Sequence, residues 1–341
     1  MILSRKAKKI LTLIIVFSLS ISVNASYIFI PMDENQQNHL KAYGIAYYAI
    51  ERDIKVDWLL NYQGGSFLIK QNLDIEKECK LRNVSYNIIA DIQSTIILQS
   101  ISSPEVNQDV VRLEKAPKIA IYSPKNKQPW DDAVTMALSY AEIPYEVIYD
   151  TEVLNNLLPI YDWLHLHHED FTGQYGKFYS SFKNATWYKE NKKESEKLAK
   201  ELGYNKVSKS KLAVAKKIKE FVYSGGFLFA MCSATDSYDI ALASENIDIC
   251  GPMFDGDKLD DNIQENLDFS KTFAFKDFTL EKNPNKYEFS SIDATQTRKL
   301  NPKIDFFTLF DFSAKWDPVP TMLCQNHSQV IAGFMGQTTA F

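Results

Sequence analysis

The residues of this chain that could do chemistry together fall at two places, each at the end of an apolar run. Cys232 ends one run, while His167 and His168 end the other and are followed directly by Glu169 and Asp170. A cysteine thiolate is a strong nucleophile, and a neighbouring imidazole can take the thiol proton as a general base. This pairing predicts attack by Cys232 on a carbonyl carbon, with His167 or His168 as the base.

The segment His165–Asp170 also supports two other interpretations. It lies at and just past the end of a predicted strand, at the edge where open α/β sheets bind ligands. Imidazole and carboxylate groups bind zinc, and a bound metal can activate water, so a metal-dependent hydrolase is an alternative. In the third interpretation these side chains line a polar pocket and hydrogen-bond one another. We expect neither a cofactor nor a bound metal.

The sequence around Cys232 has the form of a nucleophile elbow. The apolar run 227–231 predicts a central parallel strand, and a helix is predicted to begin near Asp236. Ala230 and Ala234 occupy the two positions that must be small because strand and helix crowd there. The amino terminus of the helix would favour the thiolate form of Cys232.

Apolar patterning predicts two α/β domains, 26–115 and 116–341, behind a segment 1–25. In the first domain the order strand, helix, strand, helix, strand predicts a parallel layer. The second domain is predicted to hold its own parallel sheet, with an inserted polar excursion over 178–208. The predicted strands are 27–30, 56–60, 85–89, 118–122, 145–149, 161–167 and 227–231, and the main predicted helices are 38–52, 74–82, 130–141 and 210–223.

From Pro117 onward the chain resembles the class I glutamine amidotransferase superfamily, in which a Gly-Gly strand leads into a cysteine elbow. Here the matching segment is Ser224-Gly-Gly-Phe-Leu-Phe-Ala-Met-Cys, with alanine in place of the two elbow glycines. The resemblance implies a flavodoxin-like parallel sheet and amide chemistry. It also implies two backbone donors to the oxyanion, the N–H of Ser233 and one from the loop 168–176, where Gly173 is the expected residue.

The superfamily takes its base from a late histidine followed two residues on by glutamate, and this chain has no such pair. Its last histidine, His327, is followed by Ser328 and Gln329. We therefore expect the domain to be truncated at its carboxyl end.

Several segments also resemble a family of exported bacterial proteins catalogued as asparagine synthetase B. These segments are Ile30-Pro-Met-Asp, Asp57-Trp-Leu-Leu-Asn-Tyr-Gln-Gly-Gly-Ser-Phe, Leu164-His-Leu-His-His-Glu-Asp-Phe-Thr-Gly-Gln and Met253-Phe-Asp-Gly-Asp. The ATP-binding Ser-Gly-Gly-x-Asp-Ser loop of a true synthetase is not matched, since Phe227 and Leu228 follow Ser224-Gly-Gly. The resemblance therefore implies amidotransferase character, and ATP-driven asparagine synthesis is not expected.

The first 25 residues have the pattern of a secretory signal peptide: basic residues, a short apolar run, then small residues ending at Ala25. We expect export to the periplasm or beyond, with no membrane span after cleavage. A net charge of −5, with scattered basic residues, argues against nucleic acid as a partner.

A second function class stays open alongside the enzyme. An exported, non-catalytic protein with this fold could bind a small-molecule amide or a carbohydrate-type ligand in the cleft near His167. A further alternative for the key thiol is a disulfide between Cys232 and Cys250, because an exported chain can oxidise its cysteines.

Overall fold

The computed structural model describes residues 26–124, 133–292, 306–308, 313–316 and 330–332. The predicted signal peptide, Cys324 and His327 lie outside these residues. The chain divides into two compact units, one of Met1–Ala116 and Thr308–Gln329 and the other of Pro117–Phe307 and Val330–Phe341. Each unit has its own hydrophobic core and its own sheet.

The first unit is built on a five-stranded sheet in which each pair of neighbouring strands is antiparallel. The strand order is β4-β1-β3-β2-β5. Its elements along the chain are β1 (Ser26–Ile30), α1 (His39–Ile50), β2 (Val56–Leu60), β3 (Ser66–Lys70), α2 (Leu73–Leu81), β4 (Asn87–Ala90), α3 (Asp91–Ser102) and β5 (Asp109–Leu113).

The prediction of a parallel layer in this unit is wrong, and the reason is a tight turn at Gly64-Gly65. Gly64 has φ +75°, and a Cβ there would lie 2.3 Å from the carbonyl oxygen of Met32. The turn therefore needs glycine, and it returns the chain directly into β3, which the sequence pattern did not predict. A short connection of this kind can only join antiparallel strands.

Alternating residues of this sheet face two different apolar layers. Ile28 and Ile69 pack with helices α1 and α2, whereas Phe29 and Leu68 pack with Ile101 of α3. This period of two is the ordinary geometry of a strand. The sheet is thus covered on both faces, and its strands are apolar for that reason.

The second unit contains the four-stranded sheet that positions the candidate site. Every neighbouring pair in it is parallel, in the order β7-β6-β8-β9, which confirms the predicted α/β class with a parallel sheet. Its elements are β6 (Ile119–Tyr122), α4 (Ala133–Ala141), β7 (Glu146–Ile148), α5 (Asp150–Leu154), β8 (Trp163–Leu166), α6 (Tyr179–Phe182), α7 (Thr186–Glu201), α8 (Val207–Tyr223), β9 (Phe227–Ala230), α9 (Cys232–Ala243) and α10 (Pro252–Asp255).

Helices α8 and α9 pack together against this sheet. Val214, Ala215 and Ile218 of α8 are fully buried, as is Ala234 of α9. Strand β7 lies on one side of β6, whereas β8 and then β9 lie on its other side. A change of direction of this kind opens a crevice at the carboxyl ends of the two central strands, here β6 and β8.

A short strand pair, β10 (Phe306–Thr308) and β11 (Val330–Ala332), completes the described elements. Within the described part of the chain, no helix has both the length and the apolar character needed to span a membrane.

Candidate active site

Cys232 stands at a sharp turn between β9 and α9. Its φ is +48°, in the left-handed region that a non-glycine residue seldom occupies and that costs about 1–3 kcal/mol. The backbone on both sides is held by strand β8, because Met231 N donates to Leu166 O at 3.0 Å and Ala234 N donates to His167 O at 3.0 Å. The neighbouring strand therefore fixes the strained conformation of the cysteine.

Helix α9 begins at Cys232 itself, so the prediction of a helix start near Asp236 is wrong by four residues. Because the helix begins directly after the strand, the thiol of Cys232 belongs to the first helical turn. The first N–H groups of a helix have no acceptor within it, and they carry its positive partial charge. Both effects favour the thiolate of Cys232 over the thiol.

The thiol of Cys232 contacts the imidazole of His167. The Sγ atom lies 3.3 Å from Nε2, within hydrogen-bonding range for sulfur. His167 is 5% exposed while Cys232 is partly exposed, so the imidazole is enclosed and the sulfur can be reached by a small molecule. The pair comes from the carboxyl ends of adjacent parallel strands, and this placement brings residues 65 apart in sequence into contact.

The three histidines at the end of β8, His165, His167 and His168, differ in environment. His165 is fully buried, and its Nδ1 lies 3.1 Å from Phe229 O, so this ring belongs to the packing between β8 and β9. His168 is exposed, and its ring centroid lies 3.7 Å from that of His167. Glu169 accepts a hydrogen bond from the backbone N–H of His167 at 2.8 Å. Only His167 and His168 therefore face the thiol.

Asp170 organises the loop that follows these histidines. Its carboxylate accepts from Thr172 N at 2.7 Å, from Thr172 Oγ1 at 2.6 Å and from Gly176 N at 2.9 Å. Gly173 has φ +82°, and a Cβ there would lie 2.8 Å from Ser208 N at the start of α8. The structure thus gives both residues a clear role in shaping the loop.

The two expected oxyanion donors, Ser233 and Gly173, occupy different surroundings. The N–H of Ser233 lies in the first turn of α9, directly after the nucleophile position. Gly173 lies in the loop against Ser208 and lines a cavity beside His168. The geometry therefore places Ser233 next to the thiol, whereas Gly173 belongs to the wall of the cavity.

A cavity of about 200 Å³ opens beside His168, the residue that follows His167. It lies outside the carboxyl ends of β6 and β8, which is the crevice expected from the strand order. Its walls are formed by residues that follow β6, β7 and β8, by the loop that Asp170 organises and by helix α8. They include Ser123, Tyr149, His168, Glu169, Tyr175 and Lys211.

Sequence reasoning missed the buried cation on the wall of this cavity. Lys211 donates to Asp150 Oδ1 at 2.8 Å and to the hydroxyls of Tyr122 and Tyr149 at 2.9 Å each. Tyr122 also donates a short hydrogen bond to the Asp150 carboxylate. Desolvation alone would lower the pKa of Lys211, but the Asp150 carboxylate and the Tyr149 hydroxyl outweigh it and raise that pKa.

The sequence of helix α8 contains a pattern from which the burial of Lys211 could have been predicted. Lys211 precedes Val214, Ala215 and Ile218 at spacings of three, four and seven residues, which place all four on one helical face. A lysine on an otherwise apolar helical face is buried only when it is paired.

The described cysteines Cys79, Cys232 and Cys250 are all free thiols, so the predicted alternative of a Cys232–Cys250 disulfide is wrong. Cys250 is fully buried and its Sγ donates to Thr172 O at 3.2 Å. Burial raises the pKa of Cys79 to about 12 and also raises the pKa of Cys250. Of these three thiols, Cys232 alone is partly exposed.

Comparison with known proteins adds no relative: no family model matches the chain, and no curated protein or solved structure matches it. The functional argument therefore rests on the site itself.

Proposed function

We propose that the second unit is a cysteine-dependent amide hydrolase of amidotransferase-like character, with Cys232 as the nucleophile and His167 as its base. The observation that carries this proposal is the 3.3 Å contact between Cys232 Sγ and His167 Nε2, made at a left-handed turn that opens a helix. Strained backbone, helix amino terminus and adjacent imidazole are the features that activate a cysteine.

In the proposed reaction His167 accepts the thiol proton as Cys232 Sγ attacks the carbon of a carboxamide. The oxyanion that forms takes a hydrogen bond from the N–H of Ser233. His167 then gives its proton to the leaving nitrogen, so that ammonia or an amine departs and a thioester remains. Water attacks the thioester with His167 as base, which releases the carboxylic acid and restores the thiol.

The strand order supports the flavodoxin-like part of the proposal. Numbered from β6, the order β7-β6-β8-β9 reads 2-1-3-4, which matches the first four strands of the flavodoxin-like order 2-1-3-4-5. In such sheets ligands bind at the carboxyl edge, where the cavity and Cys232 lie. Export through the segment 1–25 remains part of the proposal, and ATP-driven asparagine synthesis does not.

The test is ammonia release from a panel of amides, including free glutamine, asparagine and peptide amides, by the wild-type chain. Cys232→Ala and His167→Ala are expected to lower turnover to background. His39→Ala, which changes a histidine of the first unit, serves as the matched control and is expected to retain turnover. Full turnover by Cys232→Ala would refute the nucleophile.

The second candidate is a binding protein that takes an amide or a carbohydrate-type ligand without turnover. The observation that favours it is the pair Ala230 and Ala234, which stand where glycine gives an elbow more conformational freedom. Binding of a panel amide that Cys232→Ala leaves unchanged, with no ammonia released by the wild type, would select this candidate.

A further inference from the structure

Three side chains at the elbow form a donor set for a metal ion. The ligand atoms of His167, His168 and Cys232 all lie within 4.8 Å of one another. One sulfur and two imidazole nitrogens are the donors that zinc accepts, and catalytic or exchangeable zinc sites commonly have three protein ligands and one open position.

The distances suit a tetrahedral ion. Zinc bonds to sulfur at about 2.3 Å and to nitrogen at about 2.0–2.1 Å, so that tetrahedral ligands S and N stand about 3.5 Å apart. Cys232 Sγ and His167 Nε2 are 3.3 Å apart. His168 is exposed, so its ring can approach the ion by rotation about its side-chain bonds without disturbing the core.

The surroundings of the three side chains also suit a cation. The Glu169 carboxylate accepts a hydrogen bond from the backbone N–H of His167 at 2.8 Å, so an acidic group lies on the same segment as the two histidines. The cavity that His168 lines provides room for a water molecule or a small ligand at the fourth position.

We infer that His167, His168 and Cys232 bind one thiophilic divalent cation, Zn²⁺ by the chemistry of the donors, and that the bound ion blocks the thiol. The metal bonds to the thiolate and to neutral imidazole, so one proton leaves the Cys232–His167 pair when the ion binds. Binding stands on the geometry alone, whereas its consequence, reversible inhibition, rests on the proposed function.

A second group of donors, Asp248, Cys250 and Asp255, is the competing site within the described residues. Lys206 already occupies it, because its Nζ lies 2.6 Å from Asp248 and 3.0 Å from Asp255. An ammonium group at this position supplies the positive charge that a metal ion would otherwise bring. Because Lys206 already neutralises these carboxylates, the elbow cluster of His167, His168 and Cys232 is the better site.

The first experiment measures stoichiometry on the full chain, reduced and freed of metal, by competition between the protein and a chromophoric chelator for Zn²⁺. One ion per chain is expected, with loss of that ion in His168→Ala and in Cys232→Ala. His39→Ala is the control and is expected to keep the ion. Retention by His168→Ala, or loss on Asp248→Asn, would overturn the inference.

Cobalt(II) provides a second readout that does not depend on activity. A thiolate ligand gives bound cobalt a charge-transfer band in the near ultraviolet, and Cys232→Ser is expected to remove it. A band that survives in Cys232→Ser would place the metal on another cysteine and refute the site.

Alkylation by iodoacetamide separates this inference from the proposed function. Saturating Zn²⁺ is expected to slow alkylation of Cys232 at least about tenfold, because the metal-bound sulfur is no longer free to attack. Rapid alkylation that Zn²⁺ leaves unchanged would refute the metal site alone. Slow alkylation without metal, together with one bound Zn²⁺ per chain, would refute thiol activation while the metal site stands.

Discussion

The two sheets of this molecule differ in strand direction, and that difference decides where chemistry can be placed. In the parallel sheet the carboxyl ends of β6, β8 and β9 meet at one edge, which brings His167 and Cys232 into contact. In the antiparallel sheet successive strand ends point to opposite edges. Side chains that follow those strands are separated, and Cys79, the cysteine of that unit among the described residues, is buried among apolar residues.

Two ion pairs, one from each unit, differ sharply in their exposure to water. Lys55 and Glu114 of the first unit form an ion pair at 3.6 Å with side chains 66% and 64% exposed. Lys211 and Asp150 of the second unit pair at 2.8 Å with side chains 7% and 5% exposed. A buried pair is tolerated only when it is fully hydrogen-bonded, as here by two tyrosine hydroxyls. The parallel sheet therefore holds a partly exposed thiol and a buried cation at one edge.

The largest expected contrast is between two thiols. We expect iodoacetamide at pH 7 to alkylate Cys232 at least about a thousandfold faster than Cys79, since the attacking species is the thiolate. The pKa of Cys79 is raised to about 12 by burial, so its thiolate is scarce. Peptide mass spectrometry after timed quenching gives both rates in one sample.

Urea provides the internal control for this contrast. In unfolded protein the two cysteines should react at similar rates, because burial and helix no longer distinguish them. If Cys232 and Cys79 also react at similar rates in the native protein, the elbow does not activate its cysteine. The two sheets would then not differ in the reactivity of their cysteines.

The next effect concerns the buried pair. Lys211→Met removes the cation and leaves the Asp150 carboxylate buried beside Tyr122, at an expected cost of about 3–5 kcal/mol in the free energy of unfolding. Native-state hydrogen exchange of peptides from α8 measures that free energy for the second unit. The double variant Lys211→Met/Asp150→Asn should recover a large part of the loss, because no uncompensated charge remains. An equal loss in both variants would show that packing, not charge, is responsible.

Much of the second unit could be predicted from its sequence, because its signals are local. The strand over 227–231 is observed as Phe227–Ala230, and the helix over 210–223 as Val207–Tyr223. Continuous apolar runs ending in polar residues mark buried parallel strands, and these runs carry the candidate residues at their ends. The start of α9 at Cys232 was missed because a left-handed cysteine leaves no trace in residue periodicity.

The first unit was harder to predict because strand direction depends on pairing between distant residues. The short strand β3, Ser66–Lys70, directly follows Gly64-Gly65. It was not predicted, because a glycine pair is typical of a turn. Helix α3, Asp91–Ser102, was also missed, since exposed apolar residues such as Ile92 and Ile96 interrupt its helical pattern. Without β3 the remaining elements alternate as in a parallel layer, and this one omission produced the wrong topology.

A smaller effect is expected at two glycines, one in each unit. Gly64→Ala and Gly173→Ala each place a Cβ within 2.8 Å of backbone at positive φ, and each should cost about 1–3 kcal/mol in its own unit. Only Gly173→Ala should change the alkylation rate of Cys232, because its loop lines the cavity beside His168.

Gly203→Ala is the matched control for both glycines. It has φ +88° but nothing within 4 Å of an added Cβ, so it isolates the cost of the backbone angle. A cost for Gly173→Ala no greater than that for Gly203→Ala would show that the loop can move away from Ser208.

The smallest effect is expected at the exposed pair of the first unit. Lys55→Ala removes an ion pair whose two side chains are more than half in water, so we expect a loss below about 1 kcal/mol that shrinks further in high salt. Hydrogen exchange of peptides from β2 and β5 measures it, with Lys55→Arg as the control that keeps the charge. A loss as large as that of Lys211→Met would contradict the contrast drawn from exposure, because the cost of removing a charge would then no longer depend on its access to water.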